Sequence, residues 1–280
     1  RLGRDRLFDR SEAAGAGDNA FEPFAHLREV MQSRGIEVHT ADALEATRPR
    51  DGTTNIYISL GLRQRYEHLS RRSDVRLSGF FAFECPIVLP ALYRDLHRIG
   101  DRFERVFSYS TETALRPFLR APVSLTRFML PQSFDDVHRD IWERRDRSFL
   151  VVINANKVTR IKVNELYTER LRAIEFFNRY GEIDLFGLGW DAPPVRLGTR
   201  LPRALTRIER RVKAAWESVR PPSDPLRIAA RQAWRGATSR KDVTLGGYTF
   251  SLCFENSILE GWITEKIFDC FYAGTIPIYW

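Results

Sequence analysis

Apolar and polar positions along this chain fall into two kinds of block. Short, nearly continuous apolar runs rich in β-branched and aromatic residues read as buried strands. Stretches with apolar positions three and four apart read as amphipathic helices. "TNIYISLG" (Thr54 to Gly61), "GFFAFECPIVLP" (Gly79 to Pro90), "RVFSYS", "SFLVVINANK" (Ser148 to Lys157), "EIDLFGLGW", "GYTFSLCFENS" (Gly247 to Ser257) and "TIPIYW" are of the first kind. Phe24, Leu27, Val30 and Met31 predict a helix over 21–34, stopped by Gly35 and followed by a short strand in "GIEVHTAD". A second helix is predicted from about Asn164 to Arg179. A third runs from Thr264 to Ala273, with Ile267, Phe268, Phe271 and Tyr272 on its buried side and Gly274 as a left-handed cap. "RAPVSLTRFMLPQSFDD" reads as a loop.

Strands alternating with helices predict parallel sheets covered by helices. The pattern restarts near Ser148, which divides the chain into two α/β domains, 1–147 and 148–280. Within the second, 191–240 is rich in Pro and Arg. Leu201, Leu205, Ile208, Val212, Trp216 and Val219 make a helical stripe there, with Arg203, Arg207, Arg210, Arg211 and Lys213 mostly off it. Such a helix either packs its stripe on the domain or lies on an anionic membrane.

The chain has 280 residues, 43% hydrophobic and 29% charged, which fits a globular protein and excludes global disorder. No apolar run approaches the roughly 20 residues of a membrane-spanning helix. The opening "RLGRDRLFDR" has no secretory signal core. Cys85, Cys253 and Cys270 lack metal-type spacing and are expected to be small buried apolar side chains in a reducing, cytoplasmic setting. The net charge of +8 points to an anionic partner. Without zinc-finger spacing or an RNP-type aromatic motif, nucleic acid is not the expected one.

The chemistry concentrates where one strand gives way to a helix. Glu255, Asn256 and Ser257 end the strand at the carboxyl side, where open α/β sheets bind ligands. Thr264, Glu265 and Lys266 open the next helix, whose N-terminus favours anions. Each residue alone has a plain structural use as turn or cap. Together they suggest a pocket for a nucleotide sugar.

"YTFSLCFENSILEGWITEKIFDCFYAGTIPIYW" closely resembles the signature of family 10 glycosyltransferases, the α-1,3/4-fucosyltransferases that use GDP-fucose. "VVINANKVTRIKVNELYTERLRAIEFFNRYGEIDLFGLGW" is similar to the family's first donor-domain block. "FAFECPIVLP" is similar to its "E-[SC]-P" strand, and "WRGATSRKD" to a degenerate "Y-K-G…K" element. The resemblance implies a GT-B-like enzyme, two Rossmann-type domains facing across a cleft. The C-terminal one is expected to be incomplete, because family members continue beyond this point.

By the same resemblance the acceptor domain is 1–147 and the donor domain 148–280. Glu84 becomes the general base, and Arg170, with Arg172 as the lesser alternative, meets the diphosphate together with Lys266. Glu255, Asn256, Ser257, Thr264, Glu265, Lys241 and Trp262 complete the donor contacts; Trp262 stands where Tyr is common. The implied reaction inverts GDP-fucose onto a glycan hydroxyl, such as O3 of N-acetylglucosamine, in surface polysaccharide or lipopolysaccharide synthesis. No cofactor or metal is expected, since the chain has no Asp-x-Asp; peripheral contact with the inner face of the cytoplasmic membrane is. A transferase for another nucleotide sugar and a non-enzymatic basic protein binding nucleic acid or anionic lipid are the alternatives.

Overall fold

The computed structural model describes residues 3–10, 21–61, 66–130, 139–198 and 223–280, with 205, 208, 209, 211–213, 215 and 217 between the last two. It forms two compact units. The first is Arg1–Pro86, Pro90–Phe134 and Glu260–Trp262; the second is Ile87–Leu89, Asp135–Leu259 and Ile263–Trp280. The main body of the first thus ends ahead of the 147–148 boundary drawn from the hydrophobic pattern.

The first unit holds α1 (Glu22–Gln32), α2 (Ala41–Glu45), β1 (Asn55–Ser59), α3 (Tyr66–Leu69), β2 (Val75–Ala82), α4 (Pro90–Arg94), α5 (Leu96–Gly100), β3 (Arg105–Ser108), α6 (Glu112–Leu115) and β4 (Leu125–Arg127). Its sheet runs β1-β2-β3-β4, all parallel. Right-handed crossovers in a sequentially ordered sheet all fall on one face. Accordingly Tyr57, Leu77, Phe80, Ala82 and Val106 are buried on one side, where Phe103 packs edge-on against Tyr66 and Phe80. Ile56 and Ile58 on the other side are 65% and 51% exposed, and Phe81 stacks on Phe107 at 4.4 Å.

Several predicted elements differ here. "GIEVHTAD" makes no strand and is bound by the chain start instead: the Asp5 carboxylate accepts from the Thr40 amide at 2.7 Å, and the Asp42 carboxylate accepts from the Arg4 amide at 2.6 Å. The strand predicted over 79–90 is β2, which begins earlier and stops at Ala82, opposite Ser108 where its neighbour β3 ends. Glu84 therefore lies in the bend beyond it, exposed, with its carbonyl accepting from the Tyr93 hydroxyl at 2.7 Å. The predicted loop after β3 contains β4, three residues held to Val106, Phe107 and Ser108.

The second unit contains β5 (Ser148–Ile153), β6 (Lys157–Thr159), α7 (Tyr167–Asn178), β7 (Ile183–Phe186), β8 (Val195–Leu197), α8 (Pro225–Ala233), α9 (Lys241–Gly246), β9 (Tyr248–Leu252), α10 (Glu265–Tyr272) and β10 (Ile276–Ile278). The main sheet is parallel, in the order β10-β9-β5-β7; β6 and β8 pair separately. Alternation along β5 feeds both faces. Leu150 and Val152 join Ile174 of α7, Leu185, Leu252 and Ala230 of α8; Val151 joins Leu245 of α9 and Ala273. Such a sheet, covered on both faces, needs the continuous apolar strand seen in the sequence.

Of the helical stripe in the basic insert, Leu201, Trp216 and Val219 lie outside the described residues. The expectation that it packs on the domain does not hold for the rest: Leu205, Ile208 and Val212 are helical and 50%, 56% and 65% exposed. Acidic residues of that segment hold it instead, with Glu209 paired to Arg196 at 3.0 Å and Glu217 to Arg231 at 2.8 Å.

Candidate active site

In the second unit the chain goes from β5 outward to β7, then crosses back to place β9 on the other side of β5. That reversal is the topological switch point, and ligands of open α/β sheets bind beyond the carboxyl ends of the strands there. A cavity of about 110 Å³ lies at this place, lined by Ile153 and Asn154 where β5 ends and by Ser251 to Phe254 where β9 ends. The charged groups on its wall are Arg170, Lys241, Glu265, Lys266 and Asp269.

Arg170 comes from the first turn of α7 and is 3% exposed. Its Nη2 donates to the carbonyls of Phe254 and Glu255 at 2.7 and 3.0 Å, and its guanidinium lies 5.5 Å from the Tyr167 ring centre. Its Nη1 is buried without a partner. An unmet buried donor of this kind costs about 1–3 kcal/mol. Burial holds its pKa below the ordinary value, against the pull of Tyr167 and Glu255. Arg172, the alternative from the sequence, points to solvent and pairs with Glu169.

Glu255 is 2% exposed. Its carboxylate accepts from the Thr264 amide and hydroxyl, both at 2.8 Å, from Lys266 Nζ at 2.9 Å and from the Tyr279 hydroxyl at 3.0 Å. It therefore supplies the anion at the start of α10 and fixes the lysine. Burial pulls the Lys266 pKa down, but Glu265 and Glu255 outweigh it, so the ammonium is held above its ordinary value. Burial raises Glu265, and Lys266 with Lys241 more than reverses this. Lys241 in turn pairs with Asp269 at 2.7 Å.

Arg170, Lys241, Glu255, Thr264, Glu265 and Lys266 are thus brought together from four parts of the sequence. Asn256 and Ser257 link two elements: the Asn256 carbonyl accepts from the Leu166 amide at 3.1 Å and the Ser257 hydroxyl donates to the Asn164 carbonyl at 2.9 Å. They tie the end of β9 to the start of α7. Trp262 is buried in the first unit, 5.3 Å from the Tyr109 ring, and Glu84 belongs to that unit too. Sequence reasoning missed Tyr279 and Asp269. "TIPIYW" did contain the tyrosine, but a strand residue gives no sign that its hydroxyl reaches a glutamate 24 positions earlier.

Among the described residues, no three His, Cys, Asp or Glu side chains gather as a metal site. No described helix is long and apolar enough to cross a membrane.

A parallel α/β unit with a charged cavity at its switch point places the unit in the class of open α/β folds that bind ligands at the carboxyl ends of their strands. Residues 229–280 match the sequence profile of the Glycosyltransferase family 10 (fucosyltransferase) C-term, so the resemblance seen in the sequence is found independently there. Over 40 residues the chain is 52% identical to the Alpha-(1,3)-fucosyltransferase FucT of Helicobacter pylori; this covers 14% of the chain and 8% of the length of that relative. Among solved structures, an alpha1,3-fucosyltransferase with GDP aligns over 84% of this chain and 71% of its own, at 14% identity and a TM-score of 0.37. The same kind of protein with GDP-fucose aligns over 84% and 69%, at 14% identity and a TM-score of 0.38.

Proposed function

We propose that this chain is an inverting fucosyltransferase that moves L-fucose from GDP-fucose to a glycan hydroxyl. The observation that carries the proposal is the buried, half-partnered guanidinium of Arg170, set on a cavity wall with Lys241 and Lys266 at the sheet's switch point. A diphosphate supplies what that wall lacks, an acceptor for the buried Nη1 of Arg170. The family 10 profile over 229–280 favours this donor.

In the proposed reaction, an acceptor oxygen attacks the anomeric carbon as the bond to the β-phosphate breaks. The hydroxyl proton passes to Glu84, and the charge growing on GDP is met by Arg170 and Lys266. With fixed cations in these roles the reading requires no metal or cofactor. O3 of an N-acetylglucosamine in surface polysaccharide or lipopolysaccharide is the proposed acceptor. The exposed Leu205, Ile208 and Val212 on the basic insert support peripheral contact with an anionic membrane, which implies a cytoplasmic location.

The test is GDP binding by calorimetry beside transfer from GDP-fucose to a small glycan panel, with GDP-mannose as competitor. Arg170→Lys keeps the charge but loses the fork, and should weaken GDP binding about 10- to 100-fold. Arg172→Lys should leave it unchanged. Glu84→Gln should abolish transfer while GDP still binds. Full turnover by Glu84→Gln would refute the base assignment.

A further inference from the structure

Cys253 and Cys270 read from the sequence as separate apolar side chains, but the fold makes them neighbours. Cys253 follows β9 and Cys270 lies near the end of α10, and both line the cavity, with Ser251 beside them. Both are buried thiols. Cys253 Sγ donates to the Ile278 carbonyl at 3.6 Å and Cys270 Sγ donates to the Lys266 carbonyl at 3.3 Å, so each thiol is held at the wall of the one cavity. Cys85 is buried as well, but it belongs to the first unit and does not line this cavity.

The two sulfurs are unequal. Cys253 and Ser251 beside it and the charge of Lys241 favour the Cys270 thiolate, against burial and Asp269. Cys253 is pushed the other way, by its neighbour Cys270 and then by burial. One thiol is thus suited to attack and the other to resolve. The cavity has room for several waters, and so for a small peroxide.

We propose that Cys253 and Cys270 form a dithiol modification site on the cavity wall, which a hydroperoxide converts to a disulfide that shuts out the diphosphate. The Cys270 thiolate attacks one oxygen of hydrogen peroxide; the O–O bond breaks, the second oxygen leaves as water after taking a proton, and Cys270 becomes a sulfenic acid. Cys253 then attacks the Cys270 sulfur; the S–O bond breaks, and the hydroxyl leaves as water with the Cys253 proton. The two thiols lose two electrons in total and one peroxide becomes two waters. The new bond of about 2.05 Å is far shorter than any contact between unbonded sulfurs. It draws the end of β9 toward α10, the helix that carries Lys266. Exclusion of the diphosphate rests on the donor reading above; formation of the disulfide does not.

The experiment treats the full chain with hydrogen peroxide, alkylates remaining thiols and maps peptides by mass spectrometry. The expected product is a Cys253–Cys270 cross-link, two hydrogens lighter and reversed by dithiothreitol, with Cys85 still alkylated under denaturing conditions. In Cys253→Ser, dimedone should label Cys270 and no cross-link should form. Oxidation should weaken GDP binding at least about 10-fold in the unmodified chain, restored by reduction, and much less in Cys253→Ser. Sulfenylation of Cys270 in the unmodified chain without any cross-link overturns the dithiol. A cross-linked protein that binds GDP as well as the reduced one overturns the exclusion. If neither form binds GDP while the cross-link appears, the donor reading fails and the modification site stands.

Discussion

At the scale of single residues, the cavity wall is a set of charges held by other charges. Glu255 is spent on Thr264, Lys266 and Tyr279, so its contribution is to aim the lysine rather than to meet a ligand. This arrangement has a pH signature. Glu265 is held below its ordinary 4.5, so its stabilisation is complete above that value and is lost as pH falls through the folded pKa. Lys266 is held above its ordinary 10.5, so its stabilisation is complete below that value and is lost as pH rises through the folded pKa. Melting temperatures across pH should therefore show Glu265→Gln losing less than the unmodified chain on the acid side, below about 4.5. Lys266→Met should lose less on the alkaline side, above about 10.5, and gain nothing in acid. Parallel curves for all three proteins would show that this pair does not titrate with folding.

At the scale of elements, the turn after β7 shows how a backbone position can decide a site. Gly187 has φ 138°, and a Cβ there would stand 2.2 Å from the carbonyl oxygen of Asn154. That carbonyl also accepts from the Trp190 indole at 2.7 Å, and Asn154 lines the cavity. Gly187→Ala must move the end of β5, adding backbone strain of about 1–3 kcal/mol to the clash. Calorimetric melting should fall by several degrees or more, with GDP binding weakened in the protein that remains folded. The strand run "EIDLFGLGW" already contained this glycine, whose type is fixed by local geometry. Strands buried on both faces, such as β5, were legible for a similar reason: their whole length is apolar. β4 was not, since Leu125, Thr126 and Arg127 carry no apolar period and pair only through backbone at the edge of the sheet. Nor was the partnership of Arg170 with the Phe254 and Glu255 carbonyls, which lie 84 and 85 positions away and are set by the crossover alone.

At the scale of the whole molecule, the question is what a net charge of +8 does. Read from composition, 44 basic against 36 acidic residues suggest a surface for a polyanion. The fold distributes them differently. Arg10, Arg28, Arg72, Arg76, Arg144, Arg172, Arg179, Arg235 and Arg240 each pair with a nearby carboxylate. An arginine already paired has less to offer a phosphate backbone, because new contacts must first displace its partner. The cations of the cavity, by contrast, are sheltered from solvent and screened little by salt. Raising salt from about 50 to 200 mM should therefore strip any bound duplex DNA or phosphatidylserine vesicle by orders of magnitude. GDP affinity should change far less over the same range. Equal salt slopes for GDP and DNA would place both on the open surface, and would favour a basic polyanion-binding protein over a donor pocket.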